Sequence, residues 1–234
     1  MRNCNVHAIE PHALSRRAAV AAALAGALAA AAILAARAAP AAESEAGSRA
    51  QMAPEALVQS VSTEVLDAIR SDPALHGGNV ERLQKLIDDK VAPYVDFERM
   101  TRLSVGRGWR SASPEQRQSL MREFRTLLVR TYSGALSHVT DHQIKMRPFR
   151  AQPTDTEVVV RSQVAPSAGD PIQLDYRLEK TDAGWKIYDV NILGVSLVEN
   201  FKNSFASEIN QNGVDGLIKA LTDRNKELAS QSKG

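Results

Sequence analysis

The chain predicts an α+β domain, and three changes of pattern predict it. From Leu57 to about His138, apolar residues recur every three or four positions, the spacing of helices with one dry face. Between Gln143 and Ile192 the period drops to two over four short segments joined by short connections, which reads as an antiparallel meander. After Ser196 the helical spacing returns. A sheet with one dry face needs a cover, and the flanking helices carry the apolar surfaces to supply it. The expected architecture is a four-stranded antiparallel sheet covered by several helices.

The N-terminal stretch stands apart from this pattern. Arg16 and Arg17 precede an alanine-rich run from Ala18 to Ala36, and Ala36-Arg-Ala38 or Ala39-Pro-Ala41 offers a small-x-small cleavage site. Residues 1–42 read as a cleaved export signal, since alanine contributes too little hydrophobicity to favour a retained anchor. The arginine pair permits twin-arginine export, but no phenylalanine or leucine directly follows it, so general secretion is the expected route. Residues 43–54 read as a flexible leader, 55–228 as one domain of ordinary size, and 229–234 as a disordered tail.

Composition then excludes whole classes of chemistry. Cys4 is the single cysteine and precedes the apolar run, so the exported chain would have no thiol for disulfides, nucleophilic attack or metal binding. The full chain has 29 basic and 27 acidic side chains; cleavage after Ala41 removes four arginines and one glutamate, leaving 25 and 26. A near-neutral chain lacks the basic footprint of a nucleic-acid binder.

The elements follow in order. Leu57, Val58, Val61, Val65, Leu66 and Ile69 mark a first helix that stops near Asp72-Pro73. Val80, Leu83, Leu86 and Ile87 mark a second, and Asp96 can cap a third carrying Phe97, Met100 and Leu103. Ser113-Pro-Glu-Gln116 combines a cap, a first-turn proline and a capping-box partner. From it Leu120, Phe124, Leu127, Leu128, Thr131 and Ala135 form one long stripe. The strands fall near 143–149, 157–164, 171–180 and 184–192. The third alternates cleanly, with Ile172, Leu174, Tyr176 and Leu178 on one face and Gln173, Asp175, Arg177 and Glu179 on the other. A final helix begins near Asp215 and carries Leu217, Ile218, Leu221 and Leu228.

The stretch from Gly184 to Phe205 organises the rest. Trp185, Ile187, Tyr188, Val190 and Ile192 make a strand that turns at Gly194. Ser196 and Glu199 then form a capping box for a helix whose stripe is Leu197, Val198, Phe201, Phe205 and Ile209. A strand handing directly to such a helix aims large apolar groups into the space between sheet and helix. That space is either a core or a pocket.

No catalytic constellation emerges. His138 and His142, with Asp141, have the spacing of a metal site only if one helix carries both; a helix ending near His138 separates them. Ser196 lacks a nucleophile elbow and reads as a cap. Asp88, Asp89, Asp175 and Asp189 sit in polar or terminal settings without forming a marked acid/base pair. Gly106-Arg-Gly108 lacks the glycine pattern of a phosphate loop.

Two sets of motifs carry a family resemblance. One is WKIYDVNILGVSLVENFKNSF, starting at Trp185, followed by Gly213-Val-Asp-Gly-Leu-Ile218. The other is Tyr94-Val-Asp-Phe-Glu-Arg-Met100 with Gly106-Arg-Gly-Trp109 and Ser113-Pro-Glu-Gln-Arg117. In this order, over roughly Glu55 to Leu228, they resemble the Mla-type (toluene-tolerance) family of periplasmic phospholipid carriers. The resemblance implies that the sheet is curved and encloses, with its helices, a deep apolar cavity. It also implies a cargo of phospholipid without any cofactor. The implied partners are an inner-membrane lipid transporter complex and an outer-membrane lipoprotein associated with a porin, and the implied role is outer-membrane lipid asymmetry.

The expected lining comprises Val158, Val160, Ile172, Leu174 and Tyr176 on the dry face, Ile187 and Val190 on the closing strand, Leu197, Phe201 and Phe205 on the covering helix, and Phe124, Leu128 and Tyr132 on the long helix. Judged singly, Trp109, Trp185, Tyr188 and the other aromatics read as core; the resemblance shifts them toward a cavity wall. Arg107, Arg110 and Lys202 are candidate head-group or partner contacts, against the plainer reading of solvated charge. Two other classes stay open. One is a periplasmic adaptor with a solid core that binds a membrane transporter. The other is an enzyme of a hydrophobic substrate, which would need two titratable groups converging in the pocket.

Overall fold

Pro54 opens the first helix of the computed structural model, which describes residues 52–76, 79–137, 141–167 and 170–231. The described residues fall in one compact unit, Gly47–Gly234. The expected export signal lies outside them, as does most of the leader.

The N-terminal half is helical, as its apolar spacing predicts. Helix α1 (Pro54–Ser71) is followed by the short α2 (Pro73–His76), α3 (Val80–Lys90), a 3-10 turn at Ala92–Tyr94, α4 (Phe97–Val105), α5 (Gly108–Ser111) and the long α6 (Pro114–Ser137). Side-chain caps fix several starts: Asn79 accepts from the Arg82 amide and Asp96 from the Arg99 amide. At α6 the capping box is complete. The Gln116 amide donates to Ser113 Oγ at 3.2 Å, and the Ser113 amide donates back to Gln116 Oε1 at 2.9 Å.

The sheet follows with β1 (Gln143–Met146), β2 (Glu157–Ala165), β3 (Ile172–Thr181), β4 (Gly184–Ile192) and β5 (Val195–Ser196), all antiparallel neighbours in that order. A two-residue fifth strand thus joins the four expected. It arises because Leu193 and Gly194, at φ 52° and 92°, make a tight hairpin that folds Val195 and Ser196 back onto Ile192 and Asn191. The pairings of Val158 with Leu178, Val160 with Tyr176, Ser162 with Leu174 and Val164 with Ile172 set one face of β2 and β3. A register shift at Arg177/Leu178 then lets Ile187 pair with Leu178 and Val190 with Tyr176, although they differ in parity along β4.

Ser196 hands the chain to α7 (Leu197–Gln231), which packs on α6 and α4. Its run is interrupted at Gly213, whose φ of 72° no ordinary helical residue adopts, so a second helical segment restarts near the expected Asp215.

The interior is divided. One cluster joins α4, α5, α6 and α7 through Met100, Trp109, Leu120, Phe124, Leu128, Leu197, Phe205, Leu217 and Leu221. A second joins α1 to the sheet through Leu57, Val58, Val61, Tyr94, Val158, Val160, Leu178 and Ile187. A third, with Leu66, Ile69, Leu83, Leu86 and Val129, packs α1 and α3 onto α6. Val95 and Val190 touch both of the first two. Two residues assigned to dry stripes lie at their margins: Thr131 on α6 and Leu103 on α4 are exposed. Both stripes are complete without them, so burial is decided by the facing helix rather than by spacing.

Candidate functional site

The site is built where α6 and α7 meet β4. Phe124, Phe201 and Phe205 form a ring triad: Phe124 lies edge-on to Phe201 at 5.1 Å and to Phe205 at 5.2 Å, and Phe201 and Phe205 tilt together at 5.4 Å. Leu128, Leu197, Tyr132, Val190 and Ile192 complete this wall. Val158, Val160, Ile187 and Tyr176 belong to the wall under α1. Ile172 and Leu174 share the dry face of β3 and are partly buried, but belong to neither cluster. Val190, packed against both clusters, joins these two walls into an apolar seam between the sheet and the long helices, and Ile172 and Leu174 stand outside both clusters.

Its polar content is small and specific. Burial raises the Tyr132 phenol above its ordinary range, and it does the same at Tyr176. Tyr176 is partly buried, with its hydroxyl near those of Ser62 and Ser162.

At the phenylalanine triad the seam is occupied by its own side chains. Two surface clefts lie outside the triad. One of about 730 Å³ is lined by Ala53, Pro54, Phe149, Arg150, Ala151, Gln152 and Asp155. Another of about 200 Å³ lies between α4, β3, β4 and the start of α7, at Arg99, Leu103, Arg177, Tyr188, Asp189, Val198, Glu199 and Lys202.

Several polar readings change. Ser196 does cap α7, with the Glu199 amide donating to its Oγ at 3.1 Å. The reciprocal partner is not Glu199, however, whose carboxylate takes Lys202 Nζ at 3.1 Å. The second acceptor at this helix start is Asp189, which is 1% exposed rather than set in a solvated position. It accepts from Ser196 Oγ at 2.6 Å and from the Val198 amide at 3.1 Å. Lys202, thus engaged, and the exposed Arg107 and Arg110 are surface cations of α7 and α5.

Tyr188 does not face the seam. The β4 bulge turns it toward α4, where its hydroxyl donates to Glu157 at 3.1 Å and the Arg99 guanidinium lies 3.7 Å above its ring. Arg99 also bonds Glu157 at 2.6 Å and Glu179, so one arginine of α4 ties together β2, β3 and β4. Spacing gave no sign of this hub, because its partners lie 58 and 80 residues away.

His138 lies outside the described residues. His142 immediately precedes β1, and its Nδ1 is 2.9 Å from Asp141. Gly108, within the segment tested as a phosphate loop, instead packs against Ile209 of α7; an added Cβ there would come within 2.6 Å of the isoleucine Cδ1. Among the described residues, no helix is long and apolar enough to cross a membrane.

Fold and seam together define an α+β domain whose distinctive feature is an apolar seam between sheet and helices. The chain belongs to the MlaC protein family, whose model matches residues 59–223. The family resemblance in the sequence motifs is thereby met. One similar protein is the intermembrane phospholipid transport system binding protein MlaC of Haemophilus influenzae. It is 24% identical over 172 residues, covering 72% of this chain and 80% of that protein. Another is the toluene tolerance protein ttg2D of Pseudomonas putida, 25% identical over 167 residues, covering 71% and 77%. Among solved structures, a phospholipid-binding protein from Ralstonia solanacearum, in complex with a phospholipid, matches with a TM-score of 0.73 and 45% identity. The match covers 76% of this chain and 99% of that one.

Proposed function

We propose that this protein is a periplasmic carrier that holds phospholipid by its acyl chains in the seam between sheet and helices. The observation that carries this reading is the Ralstonia structure, 45% identical and matched over 99% of its length, which is described as holding a phospholipid. The name of the Haemophilus relative places that protein in an intermembrane transport system. It supports a shuttle between an inner-membrane transporter complex and an outer-membrane lipoprotein with its porin, maintaining outer-membrane lipid asymmetry.

Physics explains why such a carrier needs no catalytic group. At ~0.8 kcal/mol per buried CH₂, two chains of ~16 carbons represent over ~20 kcal/mol of gross transfer free energy, so free lipid crosses water too slowly to be useful. A dry compartment that leaves the head in solvent removes that barrier. Lining by Phe124, Leu128, Tyr132, Val158, Val160, Ile172, Leu174, Tyr176, Ile187, Val190, Leu197, Phe201 and Phe205 supplies it. Because the phenylalanine triad occupies the seam, loading requires α6 and α7 to shift against the sheet. The division of the core into clusters that meet at Val95 and Val190 gives that movement a natural plane.

The same filled seam is the one observation that favours an adaptor, in which the apolar contact is a solid core. Native mass spectrometry of the mature protein, purified from periplasm without detergent and then extracted with organic solvent, separates the two. A mass increment of one phospholipid per chain supports the carrier. A clean unliganded mass, under conditions that preserve lipid on another carrier, supports the adaptor.

A further inference from the structure

Along the dry face of β2 the side chains run Val158, Val160, Ser162, Val164, and all four are buried. Ser162 is the one polar interruption. It is 0% exposed, and its Oγ has no hydrogen-bond partner of acceptable geometry. A buried hydroxyl in that condition destabilises the fold and calls for an explanation. It is not an isolated accident, because Tyr176 lies diagonally across on β3, paired with Val160, and its hydroxyl stands near those of Ser162 and Ser62. Three hydroxyls from α1, β2 and β3 thus converge in a wall otherwise made of valine, leucine and isoleucine.

The chemistry of the trio selects its ligand. The neighbouring dry-face side chains of β2 and β3 are Val158, Val160, Val164, Ile172, Leu174 and Leu178, all uncharged, whereas Arg161, Asp175 and Arg177 point to the other face. Neutral O–H donors without a cation do not suit a phosphate, which draws arginine and lysine. They suit a neutral acceptor carried into an apolar space. In a phospholipid that acceptor is the ester carbonyl at the head of each acyl chain. We propose that Ser162, with Tyr176 and Ser62, forms a carbonyl subsite that accepts the acyl ester and so sets how deeply the chains enter. The proposal rests on the carrier reading and adds to it a preference for ester-linked lipid.

The test is competition. Wild-type protein and the Ser162→Ala and Tyr176→Phe variants are each incubated with vesicles containing equal amounts of diester and diether phosphatidylethanolamine with the same chains. Retained lipid is then counted by native mass spectrometry, with thermal melting as the check on folding. Wild type should favour the diester about three- to tenfold, the range one hydrogen bond supports. Each variant should bring the ratio toward one. Ser162→Ala removes an unpartnered group, so it should fold at least as well as wild type and carries the test if Tyr176→Phe is unstable. Equal retention of both lipids by wild type, or a preference that survives in Ser162→Ala, overturns the subsite and leaves the carrier intact. Retention of neither lipid by wild type overturns the carrier and the subsite with it.

Discussion

Asp189 on β4 accepts a 2.6 Å hydrogen bond from the hydroxyl of Ser196, and through its other oxygen it takes the amide of Val198. A nearly inaccessible carboxylate thereby holds the first turn of α7 against the strand that precedes it. The favourable sign of a negative charge at a helix N-terminus adds to the two bonds. Asp189→Ala leaves a buried hydroxyl and an amide without their acceptor, and should cost about 2–4 kcal/mol. Urea unfolding would show it as a lower midpoint, with Asp189→Asn intermediate. A variant as stable as wild type would mean that α7 is held by packing alone.

Arg99 makes the pH dependence of the central strands two-signed. The hydrogen bond from its guanidinium holds Glu157 below the ordinary glutamate range, whereas burial pushes Glu179 up in spite of the same arginine. Glu157, with its value lowered on folding, contributes stability above the unfolded value of about 4.3 and loses it as pH falls through the folded value. Glu179 has the opposite sign: with its value raised, its contribution is present below the unfolded value and is lost as pH rises through the folded one. Stability measured by urea from pH 3 to 7 should therefore fall behind wild type with rising pH in Glu157→Gln and gain on it in Glu179→Gln. The Glu157 side chain is 54% exposed, so its effect should stay under about 1 kcal/mol. Parallel trends in the two variants would show that Arg99 dominates both sites.

These two examples mark what the sequence could disclose. The Ser113 box, the alternation of β3 and the stripe of α7 are local patterns, and local physics makes them readable. Ile187 and Val190 on the closing strand are both expected in the lining despite their unequal parity, and only the β4 bulge reconciles them. That bulge also turned Tyr188 out to Arg99 and Asp189 under the helix start, neither of which alternation can announce. The division of the apolar residues into clusters likewise depends on pairings between distant segments. Spacing marks these residues as apolar but cannot show that the three phenylalanine rings pack against one another.

Leu193 is the one non-glycine residue at positive φ among the described residues, and its side chain is 66% exposed. Leucine loses conformational energy there without gaining burial, while Asn-Gly is favoured in hairpins whose two central residues both have positive φ. Leu193→Asn should raise stability by about 0.5–1 kcal/mol, read as a shifted urea midpoint. A loss instead would reveal packing of Leu193 that its exposure does not suggest.

Leu174 tests the seam most directly, because it lies on the dry face between Ser162 and Ile192 and yet outside the packed clusters. Leu178, four residues further along β3 on the same face, is 0% exposed within the second cluster. A carboxylate at position 178 has nowhere to be solvated, so Leu178→Asp should cost several kcal/mol and abolish folding. At position 174 the partly buried environment lets the charge keep some water, so Leu174→Asp should fold while making the seam inhospitable to acyl chains. Circular dichroism and native mass spectrometry of the pair distinguish the cases. The expected result is an unfolded Leu178→Asp beside a folded, lipid-free Leu174→Asp. If the latter is folded and still copurifies with lipid, the chains do not run past β3 at this point, and the compartment lies wholly between α6, α7 and β4.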